Sequence, residues 1–543
     1  MNIAGQEGKR GWRAPGHTGF AWVLGVVAGL AVLLTLDGPG LTIDEPLDVR
    51  PGRSYVATLR RQGWRFLRPE VVDRVFRDNA EHPPLGRWLL GISSTLLEPF
   101  EVVWKGPDPT GSYVLAGRVA PAVAFGLLVG IVAATAGRRW GAIPGAASGF
   151  ALLAMPRVFA HAHLGALDTF LCLFWNMALL GGERASRSNH PVRAAIPAGL
   201  LWSLALLTKI HAWFLPVFLG PWLFLRLSRG RAGAVFMVWL VVGLAGFAAG
   251  WPWLWYDGGA RLIAYLGTGV SRQSILVQYL GRVTTDRAVP WHYPIVYFLA
   301  TLPPGILAMG AVGLVAGFRS RRDDAFPMLM AGVVGFFLAL FSLRAPVYDQ
   351  ERLFLLVFTP WALLVGLGFE RIWRRFPSSR ARVALVVFLA AQGTGTVMLH
   401  PFGLSYYSTL VGGLPGAERL GLELTYWSDP VDQALLDRLA ELAPARARAA
   451  LVPTLYPGQG IMTTNRALIR KEIVLGDQEE AGTAEWVVVS RRTAYWPAAF
   501  RERVARGEGT KVAERSREGI WLAAIWRFPP REAHRPPKEP SAP

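Results

Sequence analysis

Uncharged apolar runs long enough to cross a lipid bilayer recur along this chain, and nothing else restricts its fold as severely. Residues 20–36, 293–318, 325–343, 353–369 and 383–399 carry no charged side chain. Residues 113–136, 140–156, 164–181, 194–208, 212–225 and 232–255 form a second set, some of them short or dented by proline. A helix needs about 20 apolar residues to cross a hydrocarbon core of ~30 Å. The pattern therefore predicts about eleven membrane-spanning helices. Composition agrees: 52% of residues are hydrophobic and only 17% charged, against roughly a quarter charged in a soluble chain. The Trp251, Trp253, Trp255 cluster at the end of one run fits an interfacial belt.

The net charge of +19 points at first to nucleic acid, but its placement argues otherwise. Basic residues collect in alternate short loops: Lys9, Arg10 and Arg13; Arg138 and Arg139; Arg184, Arg187 and Arg193. The same side takes Arg226, Arg229 and Arg231; Arg319, Arg321 and Arg322; and Arg371, Arg374, Arg375 and Arg380. The intervening loops hold little beyond Arg157, Lys209, Arg344 and Arg352. This positive-inside pattern places the N-terminus in the cytoplasm and, with an odd number of spans, the C-terminal segment outside a cell (inner) membrane. Loop charge thus accounts for the basicity without a nucleic-acid partner. The only cysteine, Cys172, falls inside a run, so the external parts are expected to fold without intramolecular disulfides. Residues 20–36 are long for a signal peptide and lack a small-x-small cleavage site, so they read as an uncleaved first span.

Four regions follow: a cytoplasmic N-terminus (1–18), a membrane body (19–399) with a long external loop (37–112), a small external α/β domain (400–529), and a disordered tail (530–543) rich in proline, glutamate and lysine. Within the loop, residues 85–100 are too short to span and read as a helix lying at the interface. In the C-terminal domain, residues 431–442 read as an amphipathic helix, and 449–452, 486–490 and 520–526 as strands.

Five polar clusters sit at external ends of spans. Asp44 and Glu45, in Thr42-Ile43-Asp44-Glu45-Pro46, could supply a general base or a cation site; a solvated acidic turn is the competing account. Glu81 and His82 precede two prolines that fix a helix entry, and a capping loop explains them equally well. Arg157, His161, His163 and Asp168 form the third cluster. A carboxylate at membrane depth, as Asp168 is, marks a candidate site by its cost of ~3 kcal/mol. The alternate histidines could serve a divalent metal but lack a defined third ligand. Lys209 stands alone in an apolar stretch, where snorkelling to the interface competes with a binding role. Tyr348, Asp349 and Arg352 form the fifth: Arg352 with Lys209 could hold a phosphate, or could pair locally with Asp349. Two acids, a buried carboxylate and two cations on one face suit transfer from a lipid-linked sugar phosphate. There the leaving group needs cations and the acceptor needs a base. No Walker A loop is present.

These clusters, in this order, resemble the GT-C superfamily of membrane glycosyltransferases. They are most similar to glycosyltransferase family 39, the protein mannosyltransferase and aminoarabinose transferase type, in its bacterial form. The resemblance rests on Asp44-Glu45-Pro46, Glu81-His82-Pro83-Pro84-Leu85, the Arg157 to Asp168 stretch, Thr208-Lys209, and Asp349 with Arg352. It continues in His400-Pro401-Phe402, Ser405-Tyr406-Tyr407, Gly412-Gly413 and Tyr426-Trp427. It implies a polytopic α-helical GT-C fold, a polyprenyl-phosphate sugar donor held at the bilayer, an acceptor of unspecified class, and an inverting displacement on the external face. Carried over, Asp44 is the base with Glu45 supporting it, Asp168 is a second site carboxylate, and Lys209 and Arg352 hold the donor phosphate. Gln350 stands where a glycine is expected, and Ser408 where an asparagine is. A transporter or flippase for lipid-linked sugars is the rival from another class, since intramembrane charges also line substrate paths. The inverted repeats and broken midplane helices of transporters are not evident. A membrane scaffold presenting the C-terminal domain is the third reading, and it gives no reason for acids and cations on one face.

Overall fold

The computed structural model describes residues 16–77, 80–271, 273–343 and 345–529. Most of the predicted N-terminal region and all of the predicted tail lie outside the described residues. The first helix, α1 (Gly16–Leu33), lies along the helix Val119–Trp140. Glycine makes that approach possible: a Cβ on Gly25 would meet the Gly126 carbonyl oxygen at 2.5 Å. Close backbone contact through small residues is how helices associate where lipid removes the hydrophobic drive.

Among the described residues, four helical stretches are long and apolar enough to cross a membrane: Val114–Trp140, Arg229–Gly250, Arg352–Arg375 and Ser379–Leu399. A fifth forms if Tyr293–Thr301 and Pro304–Arg319 count as one span bent by 113°. Pro303 and Pro304 cause that break, since neither can donate the helical hydrogen bond. The remaining apolar runs fold into shorter helices, among them Ala142–Leu153, Pro191–Leu206 and Phe326–Ser342. The predicted count of about eleven is therefore not reached by length and composition. An apolar run does not say where its helix begins: the run at 164–181 opens in a turn, and its helix starts only at Asp168. Arg352–Arg375 is almost wholly enclosed by its neighbours, whereas Arg229–Gly250 and Ser379–Leu399 turn most of their surface outward. Val383, Val386, Val387 and Phe388 are exposed on the latter, a surface that lipid, not water, satisfies.

Beyond α1 the chain is helical, not looped: α2 (Glu45–Gln62), α3 (Pro69–Phe76) and α4 (Leu85–Lys105). Pro46 sits at the start of α2, where its missing N–H costs nothing. α2 packs on α4 through Gly52 and Gly91; a Cβ on Gly91 would lie 2.0 Å from the Gly52 carbonyl carbon. Arg53 on α2 also pairs with Glu98 on α4 at 2.6 Å. α4 runs five residues beyond the predicted 85–100 and exposes Ile92, Leu96, Phe100 and Val103 along one stripe. A short hairpin, β1 (Leu276–Tyr279) and β2 (Arg282–Thr285), was not anticipated.

The C-terminal region holds a five-stranded sheet in the order β4-β3-β5-β7-β6. Strands β3 (Arg448–Val452), β5 (Trp486–Ser490) and β7 (Ile520–Arg527) fall where the sequence places them, and the helix Gln433–Leu442 does too. Asp432 caps that helix, accepting from the Leu435 N–H at 3.0 Å. β4 (Val474–Gly476) and β6 (Thr510–Arg517) escape sequence reading: one is three residues long, the other a charged edge strand without alternation. The backbone of this region straps the segment that leads into α2, with the N–H of Gly40 on the Asp429 carbonyl (2.8 Å) and that of Ile43 on the Trp427 carbonyl (3.3 Å).

Candidate functional site

Two adjacent acids at the start of α2 face opposite ways. Glu45 is fully buried and accepts four N–H donors. Arg118 supplies two through Nε and Nη2 (2.7 Å each), and the backbones of Thr42 (2.9 Å) and Gly165 (2.6 Å) supply the others. Arg118 also donates to the carbonyls of Leu36 (3.2 Å), Pro39 (2.9 Å) and Gly40 (2.7 Å). The pair ties the segment 36–45 to the body. Asp44 turns outward, its side chain 28% exposed, and forms an ion pair with Arg352 Nη2.

Arg352 is the hub. Its Nη1 donates to Asp349 Oδ2 (2.9 Å) and its Nε to Asp168 Oδ2 (3.5 Å), while its guanidinium lies 4.1 Å from the centre of the Trp427 ring. Lys209 Nζ donates to the other Asp168 oxygen at 2.6 Å. Asp44, Arg352, Asp168 and Lys209 thus alternate in charge across one small volume, contributed by four separate parts of the chain. Local structure aims each one. Asp168 opens the helix Asp168–Ser186, where the helix N-terminus favours a carboxylate. Lys209 occupies the extended link between two helices (φ −151°, ψ 156°). Lys209 is buried and paired rather than snorkelling, and the local Arg352–Asp349 pair coexists with the longer-range ones.

The turn before Arg352 explains the expected glycine. Asp349 and Gln350 both have left-handed backbones (φ 52° and 60°), a conformation that costs an ordinary side chain about 1–2 kcal/mol. Gln350 offsets this with its amide. Nε2 donates to the Glu423 carbonyl (2.7 Å), and Oε1 accepts from Tyr407 (3.2 Å) and from Arg157; its N–H meets the Tyr293 hydroxyl at 3.0 Å.

The other predicted residues scatter around this centre. Arg157 binds Glu351 (2.6 Å) and the Tyr406 carbonyl (2.9 Å) behind the turn. His161 lies 3.0 Å from the Tyr426 hydroxyl. His163 Nδ1 donates to the Phe159 carbonyl (2.9 Å), and its Nε2 lies 2.9 Å from Thr35 Oγ1. Burial holds both histidines at about 3, and their different partners separate them. Glu81 is exposed, Tyr348 and His82 partly buried. Burial, then the charges of Lys209, Arg87 and Arg352, keeps His82 well below its ordinary value. Among the described residues no three His, Cys, Asp or Glu side chains converge as metal ligands.

Several site groups went unread in the sequence. Asp48, on α2, meets the buried Arg87 at 3.0 Å, and burial pushes its carboxyl up to about 6 against the pull of that cation. Arg118 carried a signal, since it interrupts the predicted span at 113–136. Arg492, just past β5, carried none; it donates to Asp349 Oδ1 at 2.8 Å.

The chain that carries this ion-paired centre has, among the described residues, four helical stretches long and apolar enough to cross a membrane, and its fold is shared with a solved membrane glycosyltransferase structure. It is similar to ArnT from Cupriavidus metallidurans in the apo state, with a TM-score of 0.51 and 16% identity over 94% of this chain and 98% of that one. The same protein bound to undecaprenyl phosphate gives 0.49 and 17% over the same shares. AglB, the oligosaccharyltransferase of Archaeoglobus fulgidus in complex with an inhibitory peptide and a dolichol-phosphate, gives 0.44 and 11% over 93% of this chain and 74% of that one. Residues 81–256 match the family described as dolichyl-phosphate-mannose-protein mannosyltransferase. No curated protein sequence matches the chain. Fold and family match together agree with the resemblance drawn from sequence, a GT-C family membrane glycosyltransferase.

Proposed function

We propose that this protein moves a sugar from a polyprenyl-phosphate donor to an acceptor at the external membrane face, inverting the anomeric centre with Asp44 as base. In this reading the N-terminus is cytoplasmic, and residues 400–529 form an external domain over the site. One observation carries it: Arg352 bridges Asp44 and Asp168 while Lys209 holds the far oxygen of Asp168. Two cations, one buried anchoring carboxylate and one accessible carboxylate are the set that such a displacement needs.

The chemistry follows from that order. A phosphate competes with Asp44 for Arg352, because both present oxygens to the same fork. Donor binding moves the phosphate onto Arg352 and Lys209 and releases Asp44 as a free carboxylate. Asp44 takes the proton from the acceptor hydroxyl or amine as that atom bonds to the anomeric carbon. The bond from that carbon to the phosphate oxygen breaks, and its electron pair leaves on the polyprenyl phosphate, where the two cations balance it. Asp168 stays bound throughout, fixing the cations so that they need no reorganisation.

The test is transfer of labelled sugar from a polyprenyl-phosphate donor in detergent, wild type against Asp44→Asn. The variant should lose about 10²-fold or more, the usual worth of a positioned base. Undiminished transfer removes Asp44 from that role. A wild type that transfers nothing, yet moves lipid-linked sugar across liposomes, ends the enzyme reading.

A further inference from the structure

Arg352 rests on two supports, an edge and a face. The edge is the Asp349 carboxylate, which receives Arg352 on Oδ2 and Arg492 on Oδ1, at 2.9 and 2.8 Å. The face is the Trp427 ring, 4.1 Å away. Arg492 reaches both supports: besides the Asp349 carboxylate, its Nη1 donates to the carbonyl of Tyr426, the residue before Trp427. Its guanidinium lies over the Tyr495 ring at 4.7 Å, and its side chain is 2% exposed. Asp349 and Gln350 both have left-handed backbones; the Gln350 amide holds its own side of the turn, and Arg492 holds the Asp349 carboxylate.

We infer that Arg492, supplied by the C-terminal domain, is a positioning residue that sets Arg352 for the donor phosphate, so the sheet domain completes the site rather than merely covering it. The inference rests on the reading of Arg352 as a phosphate ligand. Arg492 itself meets neither Asp44 nor Asp168; it acts through Asp349 and the 426–427 backbone. A guanidinium suits the task because one planar group serves a carboxylate and a carbonyl at once, which an ammonium does less well.

The experiment titrates full-length protein in detergent with undecaprenyl phosphate and, separately, measures transfer from a polyprenyl-phosphate sugar. Arg492→Gln should raise the Kd for undecaprenyl phosphate and the donor KM about tenfold, the order expected when one charge-assisted hydrogen bond is lost. The kcat should stay within about threefold, and Arg492→Lys should recover part of the affinity. In an Asp349→Asn background the same Gln substitution should cost less than about twofold more, since the route through Asp349 is already cut. Arg448→Ala, at an exposed pair in the same domain, should match wild type. If Arg492→Gln melts lower but binds undecaprenyl phosphate like wild type, the residue is only structural and the inference is overturned. Equal loss with and without Asp349→Asn, or no advantage of Lys over Gln, overturns it too. Should the Gln variant fail to fold, the Lys variant and the Asp349→Asn cycle built on it decide. A wild type that neither binds undecaprenyl phosphate nor transfers from its sugar conjugate instead brings down the functional reading, and this inference with it.

Discussion

Replacing Glu45 by glutamine separates two roles that its position beside Asp44 conflates. Four N–H donors converge on its carboxylate between 2.6 and 2.9 Å. A glutamine keeps one acceptor oxygen and turns an NH2 toward two of those donors. The buried Arg118 then loses its counter-charge while its ties to three carbonyls remain. Breaking one side of a buried pair costs about 3–5 kcal/mol, a large share of a stability of about 5–15 kcal/mol. We expect Glu45→Gln to lower the melting temperature in detergent by several degrees or more. Transfer per folded molecule should fall less, because Asp44 keeps its own contact with Arg352. Adding Arg118→Met should recover part of the lost stability, since the orphaned charge is what costs most. A variant that melts like wild type but has lost transfer would refute this reasoning and make Glu45 a participant in the chemistry.

Two further substitutions test the surroundings. Gln350→Gly relieves a left-handed backbone worth about 1 kcal/mol but removes several buried side-chain hydrogen bonds at about 1 kcal/mol each. The melting temperature should therefore fall, and a rise would show that the amide network contributes little. Burial pushes the Glu423 carboxyl up from 4.5 to about 8, with Arg492 opposing and Asp349 adding to the rise. A folded value above the unfolded one means that the protonated carboxyl's contribution to stability is fully present below pH 4.5 and is lost as pH rises through 8. Glu423→Gln should accordingly gain stability over wild type as pH goes from about 5 to 9, read from melting curves. Parallel curves across that range would contradict the assignment.

What the sequence disclosed and what it hid divide along physical lines. Membrane residence, the alternation of basic loops and three central strands come from periodicity and composition, which act locally. The acids and cations at Asp44, Asp168, Lys209 and Arg352 stood out because charge beside apolar runs is costly and therefore conspicuous. The family resemblance assigned Asp44 as base and Glu45 as support, but residue type and spacing alone did not say which of the two faces the centre. Neighbours at a helix start point about 100° apart, and their directions depend on what packs there. Arg118 broke an apolar run and could have been flagged. Arg492 could not, because an arginine pair in Arg491-Arg492-Thr493 looks like any exposed turn until the sheet domain seats it. Where prolines and early turns divide continuous hydropathy, as at Pro303 and Pro304, length and composition no longer mark a span by themselves.

The glycine seam between α2 and α4 also makes the two helices a single lever. α4 carries an apolar stripe through Leu96, Phe100 and Val103, and in the proposed membrane setting such a stripe would rest at the level where headgroups give way to acyl chains. Because Gly52 and Gly91 let the backbones touch, α2 cannot ride up or down without it. In the proposed reading, the height of Asp44 above the lipid is then gauged by where α4 floats, not by how many residues each spanning helix contains. Helices of very unequal length could then surround the proposed reaction centre while its elevation stays constant.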